Sequence, residues 1–451
     1  MRVFLLLLIA VLIDQLVPAI DFHDEVIYVL FAFLIFRFVQ SLTVKISIAE
    51  IISLIGCLIY LLMPLIAYKV YNAQNYFARL YDTVMQTEEE KYFSLALPGT
   101  LLMIIGLHVS LVKLKVSDLM LVENCKNYLS GKKHLGIMLV IIGIFSSTMI
   151  VYAPQSIRAI VYFFSQLTFI GFLYLLHSRI AGKGLIIAIA LSLLIGQSAL
   201  TGMYGELVYW TVLGGILLII GKKINYVKRV AVLVIGAFMI LVIQSVKHEY
   251  RLAMWSGANQ GSKPGVMFEL VKNKFIEPSS VVEPVKLFAM VNRANQGALV
   301  ARTMEYVPKY EKFANGETII TSIAASIVPR FLWADKPEVG GREMICRFMG
   351  ECRRLRYSFD IGQLGEGYVN FGIAGGAIFM FFYGLFIRST YTFIANLSLR
   401  YPSLILWVPL FFFAALSLET DVLTFLNSFV KSVIFCAVIF LGFRTILKIK
   451  I

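Results

Sequence analysis

The chain has 451 residues, 59% of them hydrophobic and only 15% charged, with a mean hydropathy of +0.81 and a formal net charge of +14. That balance excludes an ordinary water-soluble globular domain and a disordered chain. In so apolar a protein the positive charge reads as a topology determinant and a contact for anionic membrane lipids, and no nucleic-acid partner is expected.

Apolar runs long enough to cross a hydrocarbon core of about 30 Å as helices recur from end to end. The alternating ten-residue segments of a closed β-barrel are not seen, so the expected fold is an all-α polytopic integral membrane protein. Spans are expected near 3–20, 26–41, 46–68, 94–112, 135–153, 159–177, 185–201, 206–221, 230–246, 363–387, 403–418 and 432–446, about 12 transmembrane helices in all. The first, RVFLLLLIAVLI, begins like a signal peptide but runs into Asp14-Gln15 and Pro18 with no small-residue cleavage site, and reads as a retained span.

Short cytoplasmic loops keep an excess of Lys and Arg. With the N-terminus inside, the cytoplasmic segments hold 19 of the 41 basic residues, among them Lys113, Lys115, Lys126, Lys132, Lys133, Lys222, Lys223, Lys228 and Arg229. The short exterior loops hold five: Lys69, Arg79, Lys91, Arg158 and Lys431. Acids gather at the exterior ends instead, at Asp21, Asp24 and Glu25, at Glu88-Glu89-Glu90, and at Glu419 and Asp421. Both termini are thereby placed in the cytoplasm. The remaining 17 cations fall in one long exterior segment between spans nine and ten.

The chain thus divides into spans one to nine (1–246), a large, partly helical exterior loop (247–362) and spans ten to twelve (363–451). The loop carries 17 basic and 12 acidic residues and six spaced prolines, and is too apolar and aromatic for a linker. Short helices packed over the membrane surface are expected. Of the five cysteines, Cys346 and Cys352 share this exterior segment, and their spacing suits either a disulfide or two inert thiols. No metal site is expected, because His23 and His248 are the histidines placed outside and no ligand spacing accompanies them.

Arg and Lys gathered at the outer surface of a lipid-embedded protein suit a polyanion such as a pyrophosphate. Arginine grips two phosphate oxygens at once and keeps its proton as charge grows on a departing group. Any one of these residues also reads as a solvated loop charge. Three places stand out: VIQSVKHEYR, with Lys247, His248 and Arg251 at headgroup depth; VNRANQGALVARTMEYVP, where Arg293, Gln296 and Arg302 can share a side; and IVPRFLWADKPEVGGR, with Arg330 and Lys336 beside Pro329 and Pro337.

These strings, followed by GEGYVNFGIAGG, resemble the Wzy-type O-antigen and capsule repeat-unit polymerases, a group related to the O-antigen ligases. Members show a Lys and Arg pair as a helix leaves the membrane, an Arg early in the long loop, a PR-x-LWP-x-KP-like string and a GE-x-Y-x-NFG-x-x-G string entering the next span. Arg330 and Gly341 also fit an R-x10-G spacing. The likeness covers about 240–387. Ala334 and Asp335 depart from the pattern, which loosens the turn expected after Trp333.

The resemblance implies a metal-independent glycosyltransferase without cofactors at the periplasmic face of a bacterial inner membrane. It would move a growing undecaprenyl pyrophosphate-linked glycan onto an undecaprenyl pyrophosphate-linked repeat unit, alongside a chain-length regulator and a flippase. Arg251, Arg293 and Arg330, helped by Lys247 and Lys336, are expected to hold the leaving pyrophosphate, and Arg158 to close the site from the opposite side. Glu366, in a Gly-rich stretch that lets backbone approach a ligand, and His248 are the two expected bases. The rival readings are an O-antigen ligase, a lipid-linked oligosaccharide flippase, and a metal-using transferase with ligands from DFHDE at 21–25.

Overall fold

The computed structural model describes residues 23–201, 205–255, 263–277, 280, 283–330, 332–352, 359–445 and 448, and every regular element among them is helical. Leaving aside the short helix Tyr76–Leu80, these are in chain order α1 (His23–Ser41), α2 (Ile48–Lys69), α3 (Glu89–His108), α4 (Asp118–Leu129), α5 (Lys133–Met149), α6 (Gln155–Ser165), α7 (Leu167–His177), α8 (Lys183–Thr201), α9 (Gly205–Ile219) and α10 (Tyr226–Trp255). Five short helices follow: α11 (Lys263–Ile276), α12 (Pro284–Ala294), α13 (Gly297–Tyr306), α14 (Glu317–Ile327) and α15 (Arg342–Met349). The chain then forms α16 (Gly362–Leu397), a broken passage of short turns over 402–416, and α17 (Val422–Thr445).

Among the described residues six helical stretches are long and apolar enough to cross a bilayer: α2, α3, Ile157–His177, Tyr226–Ile243, α16 and α17. The pair α4 and α5, turned by 94°, adds a seventh if counted as one crossing. About twelve were expected from sequence, and the shortfall has identifiable sources. Span 3–20 lies outside the described residues. α1 carries Asp24, Glu25 and Arg37, while Lys183–Ser198 of α8, α9 and the 402–416 passage are short apolar pieces. α10 also runs past the expected end of span nine at 246, reaching Trp255.

Span ten departs most from expectation. Gly372 has φ 69° and ψ −162°, a conformation open to glycine and costly for other residues, and it folds α16 into two arms. Residues 367 and 376 would stand about 13 Å apart on a straight helix. Here a Cβ on Gly376 would lie 3.1 Å from the Gly367 carbonyl carbon. The glycines expected to admit a ligand instead let the two arms touch.

Both arms rest on α3. A Cβ on Gly99 would meet Leu364 of the first arm at 2.9 Å and the Cα of Ala377 of the second at 3.7 Å. Farther along, a Cβ on Gly106 would stand 2.2 Å from the Phe381 carbonyl oxygen, and one on Gly384 2.3 Å from that of Met103. Backbones this close give the dispersion contacts that hold helices together in lipid, where no hydrophobic effect separates helix from solvent.

The short helices are tied to this frame. Gly297 opens α13 against α2 and α3, with Tyr92 and Pro64 where a side chain would be. Glu305 of α13 accepts from Thr87 Oγ1 at 2.8 Å and pairs with Lys91 at 3.2 Å. Arg347 of α15 is held between Glu311 and Glu317, at 2.8 Å and 2.9 Å. Cys346 and Cys352 form a disulfide across the turn at Gly350, which decides between the two readings their spacing left open.

Candidate functional site

Where the chain enters α16, three segments converge: the turn between α12 and α13, residues 360–370, and residues 417–424 leading into α17. Gln296 Nε2 donates to the Asp360 carbonyl at 2.7 Å, and Arg293 Nη2 reaches Glu419 Oε2 at 2.8 Å. Arg293 keeps 58% of its side chain exposed, so the pair secures it without burying it. Arg302 turns away to Glu351 and to the Asp82 carbonyl, so the expected grouping of Arg293, Gln296 and Arg302 holds only for the first two.

Glu366 lies inside this junction, 1% exposed. Its Oε1 accepts from Thr318 Oγ1 at 2.9 Å, and its Oε2 accepts from the Val422 amide at 2.7 Å. Asp360 Oδ2 accepts from the preceding amide, Asp421 N, at 2.8 Å, and Asp421 Oδ1 accepts from Thr424 N at 2.6 Å. Three carboxylates therefore satisfy the orphan N–H groups that open α17 and face the positive end of its dipole. Asn370 completes the lock, donating to Thr318 Oγ1 at 2.7 Å and accepting from Gly316 N at 2.9 Å.

This gathering of acids has an electrostatic consequence. Burial, followed by the charge of Asp421, pushes the Asp360 carboxyl well above the usual carboxylate range, and burial also raises Asp421. In the folded protein these acids release their protons at higher pH than an unfolded chain, which releases them near pH 4. Their contribution to stability is thus full below that pH and declines as the pH rises through the raised values. The heat stability of the detergent-solubilised protein should fall as the pH rises above about 4, and Asp421→Asn, which retains a good helix cap, should flatten that slope. An unchanged slope in the variant would remove this cause.

At the opposite end of α14 the chemistry reverses. α14 packs along α17, with Thr318 beside Glu366 at its start and Arg330 just past its end. Lys336 donates to the Val328 carbonyl at 2.8 Å, and burial followed by the Arg330 charge presses it below the ordinary lysine value. Lys431 of α17 faces the charges of both Arg330 and Lys336. Among the described residues no carboxylate pairs with any of the three. The turn after Trp333, expected to be loosened by Ala334 and Asp335, is closed by the Lys336 amide on the Trp333 carbonyl at 3.2 Å. Aspartate suits such a turn.

The sequence sets Arg330 and Lys336 in one string, whereas Lys431 reads there as a short-loop charge. The available signal was a single lysine in LNSFVKSVIF, at the exterior edge of the last span. Arg158 stands apart on α6, with its guanidinium on the Ala153 carbonyl of its own helix start at 3.3 Å. Lys247, His248 and Arg251 lie along α10, but their side chains are outside those described.

The structure also assembles His23, Asp24 and Glu89, whose ligand atoms lie within 4.8 Å of one another. No local spacing revealed this trio, because Glu89 comes from a different helix. Lys69 Nζ stands 2.9 Å from Glu89 Oε1 and 3.2 Å from Asp24 Oδ2, so the chain itself supplies a cation there.

Fold and site together describe an all-helical, multi-pass membrane protein with a helical segment of mixed charge set between its spans. Residues 56–397 match the model of a family described as a domain of unknown function, DUF8712, and the chain belongs to that family. The match includes Arg293, Arg330, Lys336 and Glu366 and stops short of Asp421 and Lys431. Comparisons with curated proteins and with solved structures give no match.

Proposed function

We propose that this protein is a repeat-unit polymerase of lipid-linked glycans, acting at the periplasmic face of a bacterial inner membrane. In this reading the chain crosses the membrane about twelve times with both termini in the cytoplasm. The 247–362 segment then lies outside, where the Cys346–Cys352 disulfide finds an oxidising compartment. The observation that carries the proposal is the trio of Arg330, Lys336 and Lys431. Like charges held together, with no carboxylate paired to them among the described residues, favour a polyanionic ligand, and a pyrophosphate on a membrane lipid is such a ligand.

The reaction then needs little covalent help. A hydroxyl of the acceptor repeat unit attacks the anomeric carbon of the donor glycan, and the new C–O bond forms as the bond to pyrophosphate breaks. The electron pair leaves on undecaprenyl pyrophosphate, whose added charge Arg330, Lys336 and Lys431 stabilise. Arg293, steadied by Glu419, meets phosphate or glycan at the other end of α14, and Lys247 and Arg251 add charge where α10 leaves the membrane. Glu366 has both oxygens occupied and almost no exposure, so we assign it to positioning the start of α17. The hydroxyl proton passes to His248, the other base expected from sequence, whose unperturbed pKa lies near neutrality.

The test in cells is the surface glycan profile of a deletion strain. Loss of the gene should leave glycans of one repeat, and the wild-type copy should restore the ladder. Arg293→Ala and Arg330→Ala copies should leave short chains. Full ladders from both variants would remove the assignment, and a deletion with no glycan attached at all would indicate a ligase.

A further inference from the structure

A trough of about 880 Å³ runs between the second arm of α16 and α17, walled by Phe393, Leu397, Phe429, Ala437 and Phe440, and Arg400 and Arg444 line it too. Arg400 follows the end of α16 and Arg444 lies in the last turn of α17, so both stand at one end of the trough. Neither pairs with a carboxylate among the described residues. A third cation is close by, since Lys132 Nζ sits 3.4 Å over the ring of Tyr128, which also lines the trough.

From Phe429 to Arg444 the trough follows α17 for roughly 22 Å at 1.5 Å per residue, more than the hydrocarbon depth of one leaflet, about 15 Å. Its walls are mainly apolar for that length, with Ser389 and Thr390 as polar members, and its end is cationic. This is the shape and charge of an acyl chain with an anionic headgroup. The lining residues of α17 fall on the side of the helix opposite Lys431, so the trough and the cation trio face different surroundings.

The geometry points to a resident anionic phospholipid of the cytoplasmic leaflet, its chain in the trough and its phosphate between Arg400 and Arg444. The leaflet follows from the Lys- and Arg-rich loops at that end, and the inference does not depend on the proposed polymerase activity. Such a lipid would fill the space between α16 and α17 and set their separation.

Native mass spectrometry of the full chain, released from micelles after titration with phosphatidylglycerol or phosphatidylethanolamine, tests this. One phosphatidylglycerol should bind with roughly tenfold preference. Arg400→Gln with Arg444→Gln should abolish the preference, and Ala437→Trp, which fills the trough, should remove the adduct for both lipids. The proposal is overturned if the wild type binds the two lipids equally, if the preference survives in the double variant, or if the adduct has the mass of an isoprenoid pyrophosphate. An Ala437→Trp protein that folds and still binds one lipid also overturns it, and should that variant fail to fold, the arginine pair decides alone.

Discussion

Lys431→Ala is expected to lower polymer formation on the order of a hundredfold, the usual loss when one charge that stabilises a departing oxyanion is removed. The same change should leave the protein at least as heat-stable as before. Arg330, Lys336 and Lys431 repel one another and have no carboxylate partner among the described residues, so the folded state gains nothing from the third charge. A residue that costs stability and supports activity is the signature of a functional site. Lys431→Arg keeps the charge and should restore most of the activity, while Lys431→Met should behave like alanine. Measured rates in membranes, set beside melting curves of the same variants, separate this from a packing role. If Lys431→Ala melts early and loses activity in proportion, the lysine is structural.

Glu366→Ala should show the reverse pattern. It leaves the Val422 amide and the Thr318 hydroxyl without their acceptor in a buried junction, at roughly 1–3 kcal/mol for each unsatisfied group. The start of α17 loses a cap at the same time, so loss of folded protein is expected along with loss of activity. Glu366→Gln distinguishes positioning from proton transfer. A glutamine can offer its oxygen to Val422 N–H and its amide to Thr318, whose hydroxyl rotates to accept. Activity within a few-fold of wild type is therefore expected, whereas loss of a general base costs about 10²–10⁴ in rate. A stable Glu366→Gln protein with such a loss would return Glu366 to the role of base.

Much of this arrangement was legible in the sequence, and the remainder follows a physical pattern. Long apolar runs announced helices, because hydropathy over a span-length window depends only on neighbours in the chain. Arg330 and Lys336 were found because two prolines and a tryptophan set them in a recognisable string. Lys431 was not tied to them. It stands on a helix far along the chain, and only the packing of α14 along α17 brings it there. The acids Asp360 and Asp421 were missed for the same reason, each looking like an ordinary loop charge until the start of α17 met the entry to α16.

The glycines of GEGYVNFGIAGG were read for the right property and the wrong partner. Close approach was expected toward a ligand, but Gly367 and Gly376 approach each other across the bend at Gly372. A sequence shows that a backbone can come near something without showing what. The number of crossings is legible only coarsely for a related reason, since a short apolar helix and a full crossing share composition and differ in length and surroundings.

Glycosyl transfer with a lipid pyrophosphate as leaving group can be followed by counting that product. The purified protein in proteoliposomes would be supplied with one undecaprenyl pyrophosphate-linked repeat unit, and both glycan length and free undecaprenyl pyrophosphate would be followed by mass spectrometry. One undecaprenyl pyrophosphate should be released for each new linkage, with both products falling together in Arg330→Ala and Lys431→Ala. Lipid-linked repeats that cross the bilayer unchanged, or chains that lengthen with no undecaprenyl pyrophosphate released, would contradict such a transfer.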